Sequence, residues 1–153
     1  MLIPSIPTRD TAEKVFFDGK NVSGATITTG YAVAFALGNS MDGLSVVLAT
    51  SAAAVSPGFI GIASRDIANN DYGTIQTGGF CGSVYISNMG SSVTITGGDP
   101  LIPSAVGGAL FSGAPSYASG GGMFVHAASN VPANTLSTAA PIYVSGIIRG
   151  GVL

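Results

Sequence analysis

Charge is what this sequence has least of. Asp, Glu, Lys and Arg make up 8% of its 153 residues, against about 25% in an ordinary soluble domain. Charged side chains are seldom buried, so a lone monomer would normally display many more. The surface is therefore either built from Ser, Thr, Asn and Gly or hidden against other chains. The second alternative is favoured, because weakly charged surfaces tend to associate. Basic residues are scarcer still: Arg9, Lys14, Lys20, Arg65 and Arg149, within a net charge of −2. Five cations do not make the broad phosphate-neutralising surface that nucleic-acid binding needs. A single cysteine, Cys81, excludes an intrachain disulfide, and with no base or cation cluster near it in sequence it reads as a small packed residue. Tryptophan is absent and histidine occurs once.

Targeting signals are also missing. The opening MLIPSIPTRD has no basic n-region, and Pro4 and Pro7 interrupt its apolar residues, so no secretory signal is expected. Residues 43–64 carry no charge, but Pro57, three glycines and five Ser/Thr residues make them a poor membrane span. Asn21-Val22-Ser23 matches a glycosylation acceptor. With no secretion signal beside it, it is read as a chance match.

What is present is a sheet-building pattern. Six of the twelve charged residues fall within residues 1–20, and Pro4 and Pro7 bias Ile3 and Ile6 toward extended geometry. This predicts an N-terminal arm leading into a short strand near residues 14–17. Tyr31, Val33, Phe35 and Leu37 alternate with Ala32, Ala34 and Ala36, as in a strand with one bulky face and one tight face. Strands are expected over 44–49, 59–63, 73–77, 80–86, 92–96, 123–126 and 142–149, with short apolar pieces at 101–102 and 109–111. Gly78-Gly79 is read as a hairpin turn between the strands that flank it. In the strand at 59–63, Phe59 is expected on one face with Ile60 and Ile62 on the other. Phe80, Gly82, Val84 and Ile86 are expected to share a face. The polar run 64–72 is expected to be a turn, because Asn and Asp tolerate left-handed backbone geometry. Residues 51–55 are too short to hold a helix alone, and residues 112–122 form a low-complexity loop. With about ten strands, no convincing helix and no fixed-period repeat, the expectation is an all-β chain. It is a small single-domain antiparallel β-barrel or sandwich with an extended N-terminal arm, residues 1–20 forming the arm and first strand and residues 21–153 the β domain.

Chemistry does not emerge. His126 has no nucleophile or orienting partner in view, and no Gly-x-Ser-x-Gly elbow occurs. Asp42, Asp66, Asp71 and Asp99 sit in turn-forming segments, which accounts for them without paired-carboxylate catalysis. One Cys and one His give no metal-ligand spacing. The Asp66–Asp71 run lacks the alternation of a calcium loop. The glycine pairs lead into strands or loops rather than a phosphate-binding helix. The chain is expected not to be an enzyme and to need no cofactor.

The run from Gly58 through Ala63, then Ile67 through Gly79, then Gly98-Asp99-Pro100-Leu101 and Gly108-Ala109-Leu110, resembles the tailed-phage capsid decoration (cement) proteins. The resemblance covers about a third of the chain, residues 58–111. It implies a structural protein on the outside of the expanded capsid. Such proteins often form homotrimers at three-fold positions and bridge subunits of the major capsid protein, so the implied location is the virion, assembled in the host cytoplasm. On this reading Arg9, Asp10, Glu13 and Lys14 of the arm contact the capsid or a neighbouring copy, with no direct nucleic-acid or membrane partner. The rival expectation is a tail, fibre or baseplate component binding a host glycan through Tyr72, Tyr85, Tyr117 and Tyr143. A hydrolytic or lyase site assembled between subunits is a third.

Overall fold

In the computed structural model of the chain, residues 14–36, 42–50, 58–86, 94–103, 108, 110–112, 124–130 and 142–149 are described. Every regular element among them is a strand. In chain order these are β1 (Val15–Asn21), β2 (Ala32–Phe35), β3 (Ser45–Leu48), β4 (Phe59–Ala63), β5 (Tyr72–Ile86), β6 (Pro100–Pro103), β7 (Leu110–Ser112), β8 (Phe124–Ala127) and β9 (Ile142–Arg149). The all-β expectation holds, and the pairing resolves barrel against sandwich in favour of closure. Strands β1, β3, β2, β4 and β5 pair in that order, and β5 returns to β1, closing a five-stranded barrel. Closure leaves no edge strand within this barrel for stray pairing.

The 15-residue β5 does not stop there. Gly78-Gly79, read from sequence as a hairpin turn, is a bend within one continuous strand. Gly79 takes φ 84°, open to it because it carries no Cβ. The Gln76 amide spans the bend, donating to Gly78 O at 3.0 Å and Phe80 O at 2.9 Å. Beyond it β5 pairs with β9, β9 with β8, β8 with β6, β6 with β7, and β7 back to β5 through Ile86 and Leu110. A second five-stranded ring results, sharing β5 with the first. The boundary drawn after residue 20 falls inside β1.

The rings are built alike. Each runs first, third, second, fourth, fifth strand, with one parallel contact and four antiparallel ones. The likeness extends to single bonds. Gly30 and Gly98 both take positive φ at the turn before the ring's second strand. Their N–H groups donate to Ala63 O and Ala127 O, and the N–H groups of Ala63 and Ala127 donate in return to Tyr31 O and Asp99 O. Asp66 accepts the Thr29 N–H at 2.7 Å, and Asn130 accepts the Gly97 N–H at the same distance. The sequence shows no fixed-period repeat, yet the structure repeats the ring.

The strand faces follow from packing. Ile27, Val33, Val46, Ile60, Ala63, Ile67 and Ile75 fill the first ring, with Phe17, Tyr31, Phe35 and Leu48 against them. Burying an aliphatic side chain of this size contributes about 1.5–3 kcal/mol. The alternation expected for residues 31–37 is seen in β2. Val33 joins this core, whereas Ala32 and Ala34 belong to the other, with Phe59, Ile62, Cys81, Val84, Ile86, Ile95, Leu101 and Val125. The small alanines let the second ring press against the outside of the first. Two facing expectations fail, each because of a bulge. The irregularity between Val33 and Ala34 puts Ile60 in the first core and Phe59 with Ile62 in the second. Another between Cys81 and Val84 separates exposed Phe80 from buried Val84 and Ile86. A bulge adds a residue to one strand and so exchanges the faces beyond it. Of the strand expected over 92–96, residues 94–96 are described and are not in a strand, although Ile95 is buried. The segments 51–55 and 113–122 lie outside the described residues.

Candidate functional site

The described acidic residues accept hydrogen bonds from turns and neighbouring strands. Asp42 accepts the Ser45 hydroxyl and the N–H groups of Leu44 and Ser45, which holds its carboxyl down to about 2. Asp66 accepts the Thr29 N–H and hydroxyl and is likewise held below the usual carboxylate range. Asp71 accepts the Tyr72 N–H, Asp99 the Thr96 N–H, and Asp18 the Thr74 hydroxyl. Asn70 stands at φ 65°, as expected for the Asn/Asp-rich turn. The His126 Nδ1 lies 3.0 Å from Gly98 O, a backbone carbonyl and not an orienting carboxylate. Cys81 is buried, its thiol pushed up by burial and directed at Ser83 O. Among the described residues no three His, Cys, Asp or Glu side chains stand together as a metal site.

Asn21 is fully buried. Its amide N–H groups go to Ala25 O at 2.7 Å and Ile67 O at 2.8 Å, and its Oδ1 accepts the Ser23 N–H. The acceptor motif is therefore a structural knot in the folded protein. Its amide nitrogen has no room for a sugar.

What remains is an apolar surface. Val15 is 54% exposed, Phe16 51%, Phe80 40% and Ile147 37%. The register gathers them: Val15 lies opposite Gly78, Phe16 opposite Gln76, and Phe80 opposite Ile147. They thus flank the β5 bend on β1, β5 and β9 as an apolar strip spread across the join of the two rings: Phe80 and Ile147 are cross-strand neighbours on one face, whereas Val15 and Phe16, successive residues of β1, point to opposite faces. Phe16 and Phe80 hold corresponding positions in the two rings, two exposed phenyl groups set by the repeat. Water-facing aromatic surface of this kind marks a contact site more often than a scattered single residue does. Sequence reasoning missed the strip because a period-two pattern puts Phe80 on one face with Val84 and Ile86, and the Cys81–Val84 bulge is invisible to that pattern.

Of the four arm residues expected to make contacts, Lys14 is exposed and sits immediately before β1, beside the strip. Arg9, Asp10 and Glu13 lie outside the described residues. Of the tyrosines proposed for sugar stacking, Tyr85 lies opposite Tyr143 in the β5–β9 register. Tyr85 stacks on Tyr31 at 4.6 Å between ring centroids, while Tyr72 stands 53% exposed at the Asn69–Asp71 turn, and Tyr117 is outside the described residues. Among the described residues no helix is long and apolar enough to cross a membrane. No protein-family model matches the chain, and no curated protein matches it significantly.

Proposed function

We propose that this protein is a structural component of a virion. It attaches to the outer surface of an expanded phage capsid and stabilises the shell by bridging subunits of the major capsid protein. The observation that carries the reading is the apolar strip of Val15, Phe16, Phe80 and Ile147 on a domain so poor in charge. A lattice-binding protein uses many copies, so modest contacts sum to firm attachment through avidity. The closed rings support this role, since a domain without exposed edges can be packed densely without strand exchange. Of the elements behind the resemblance, Gly98-Asp99 form the turn before β6, Pro100-Leu101 open β6, and Leu110 opens β7. A homotrimer is the assembly proposed, with the charged arm from Arg9 to Lys14 as a second contact. Catalysis forms no part of the reading.

A tail, fibre or baseplate component that binds host glycan is the second reading, and exposed Tyr72 beside Asn69 and Asp71 favours it. The copy number of this protein per major shell subunit in purified virions separates the two. A ratio near one is expected for decoration. A handful of copies per particle favours the tail reading, and absence from virions overturns both.

A further inference from the structure

The contact between the two rings is a template for contact between copies. Within the chain, the start of β2 inserts between β5 and β7 of the second ring. The Tyr85 N–H donates to Gly30 O at 2.9 Å and the Ala32 N–H to Gly108 O at 2.8 Å. Above these bonds Tyr31 stacks on Tyr85 with 17° between the planes. Because the rings share one strand order, each side of this junction has a counterpart in the other ring. Register identifies them. Asn21 pairs with Val46 as Ile86 pairs with Leu110, so Lys20 stands where Tyr85 does and Leu44 where Gly108 does. On the other ring Asp99 follows Gly98 as Tyr31 follows Gly30, which sets Asp99 in place of Tyr31 and Pro100 in place of Ala32.

Both counterpart surfaces are open to solvent. Leu44, Val22 and Tyr72 are exposed around Lys20, and Asp99, Pro100 and His126 are half-buried. Their backbone groups are already satisfied. The Lys20 N–H donates to Leu44 O at 2.8 Å, the His126 imidazole occupies Gly98 O, and Pro100 has no N–H. Covering these surfaces would strand none of these groups, which is the usual penalty for burying backbone. The stacked pair of tyrosines has been exchanged for a cation on one surface and an anion on the other. Neither Lys20 nor Asp99 forms an ion pair among the described residues.

We propose that copies of this chain associate head to tail, the Lys20 end of one against the Asp99 face of the next, with Lys20 and Asp99 paired where the internal junction has its tyrosine stack. The contact is heterologous, so it closes into a ring or runs on as a filament. Lacking the inserted backbone bonds of the internal junction, it is weaker and sensitive to salt. The inference concerns the free protein and does not depend on capsid binding.

Sedimentation velocity of the full chain over a concentration series, at low and high salt, tests it. The unaltered protein is expected to self-associate, less so at high salt. Lys20→Asp and Asp99→Lys are each expected to weaken association by about tenfold, and the two together to restore it. Asp99→Asn keeps an acceptor for the Thr96 N–H, so it separates loss of charge from loss of the turn, and it is expected to weaken association as well. Far-UV circular dichroism confirms that each variant is folded. A monomer at every concentration overturns the proposal and makes the sealed groups caps that end the tandem at two rings. Association that ignores the single reversals, or a double variant that fails to recover, overturns it equally.

Discussion

Replacing Gln76 by Met keeps the length of the side chain and removes its amide. In the native protein Gln76 is 4% exposed, and its amide donates to two carbonyls across the β5 bend, Gly78 O and Phe80 O. The substitution deletes both bonds and leaves two partly buried acceptors to find new donors. A buried group left without its partner costs about 1–3 kcal/mol, so Gln76→Met should lose about 2–4 kcal/mol once the added apolar burial is set against two such losses. For a chain of this length that corresponds to a fall of roughly 5–15 °C in Tm. Urea unfolding followed by circular dichroism reads the change as a lower midpoint at unchanged slope. Phe80 lies just beyond the same bend, so binding to the partner surface should weaken together with stability. A stability within about 0.5 kcal/mol of the native protein, inside the range of ordinary surface substitutions, would refute the claim that this amide holds the two rings in register.

Other substitutions probe the close contacts. A Cβ at Gly61 would lie 2.1 Å from Gln76 O, a backbone atom that cannot swing away, so Gly61→Ala should cost about 1–3 kcal/mol or more, measured by thermal unfolding. Asn21→Leu removes two buried donors and one acceptor and should destabilise by about 2–4 kcal/mol; a neutral result would show that Asn21 is not the tie between β1 and the Ile67 turn. Asp42 has its carboxyl lowered from 3.8 to about 2 by Ser45 and Leu44. Because the folded value is the depressed one, its contribution is present above about pH 4 and fades as pH falls toward 2. Titration followed by NMR at Asp42 should place its midpoint below that of an ordinary aspartate, and Ser45→Ala should raise it.

The sequence was most legible where one residue pattern met one structural demand. Phe59–Ala63 and Ile142–Arg149 are strands with the bounds expected, since both are short, largely apolar runs bounded by Gly58 and Ser64 and by Pro141 and Gly150. The alanine face of β2 was legible too, as a surface that something packs against closely. Gly78-Gly79 was misread because a glycine pair permits a turn without requiring one. The choice of a bend is made by Gln76 and by β9, whose pairing partners are remote in sequence. The repeat was hidden for a similar reason. Its trace is Thr26-Ile27-Thr28-Thr29-Gly30 against Thr94-Ile95-Thr96-Gly97-Gly98, five residues around a buried isoleucine and a positive-φ glycine. Elsewhere corresponding positions differ in kind, Phe17 against Cys81 and Gly19 against Val84, because the second core also takes in Ala32, Ala34, Phe59 and Ile62 from the outside of the first ring. The strip was illegible for want of register: the Cys81–Val84 bulge separates exposed Phe80 from the buried Val84 and Ile86.

A strand held in common also makes the rings' folding histories inseparable. The first ring cannot close until β5 has been synthesised, because β1 must wait for Ile75 and Gln76 to supply its partners. Once the early half of β5 is clamped between β1 and β4, its later half stands ready as a template on which β7 and β9 can assemble. Closure at such long sequence separation is slow, but it confers order: the amino-terminal barrel is the scaffold and the carboxy-terminal one the follower. Unfolding should run the other way. Loss of β9 leaves the first ring intact, whereas loss of β1 withdraws support from the strand on which everything after it was built.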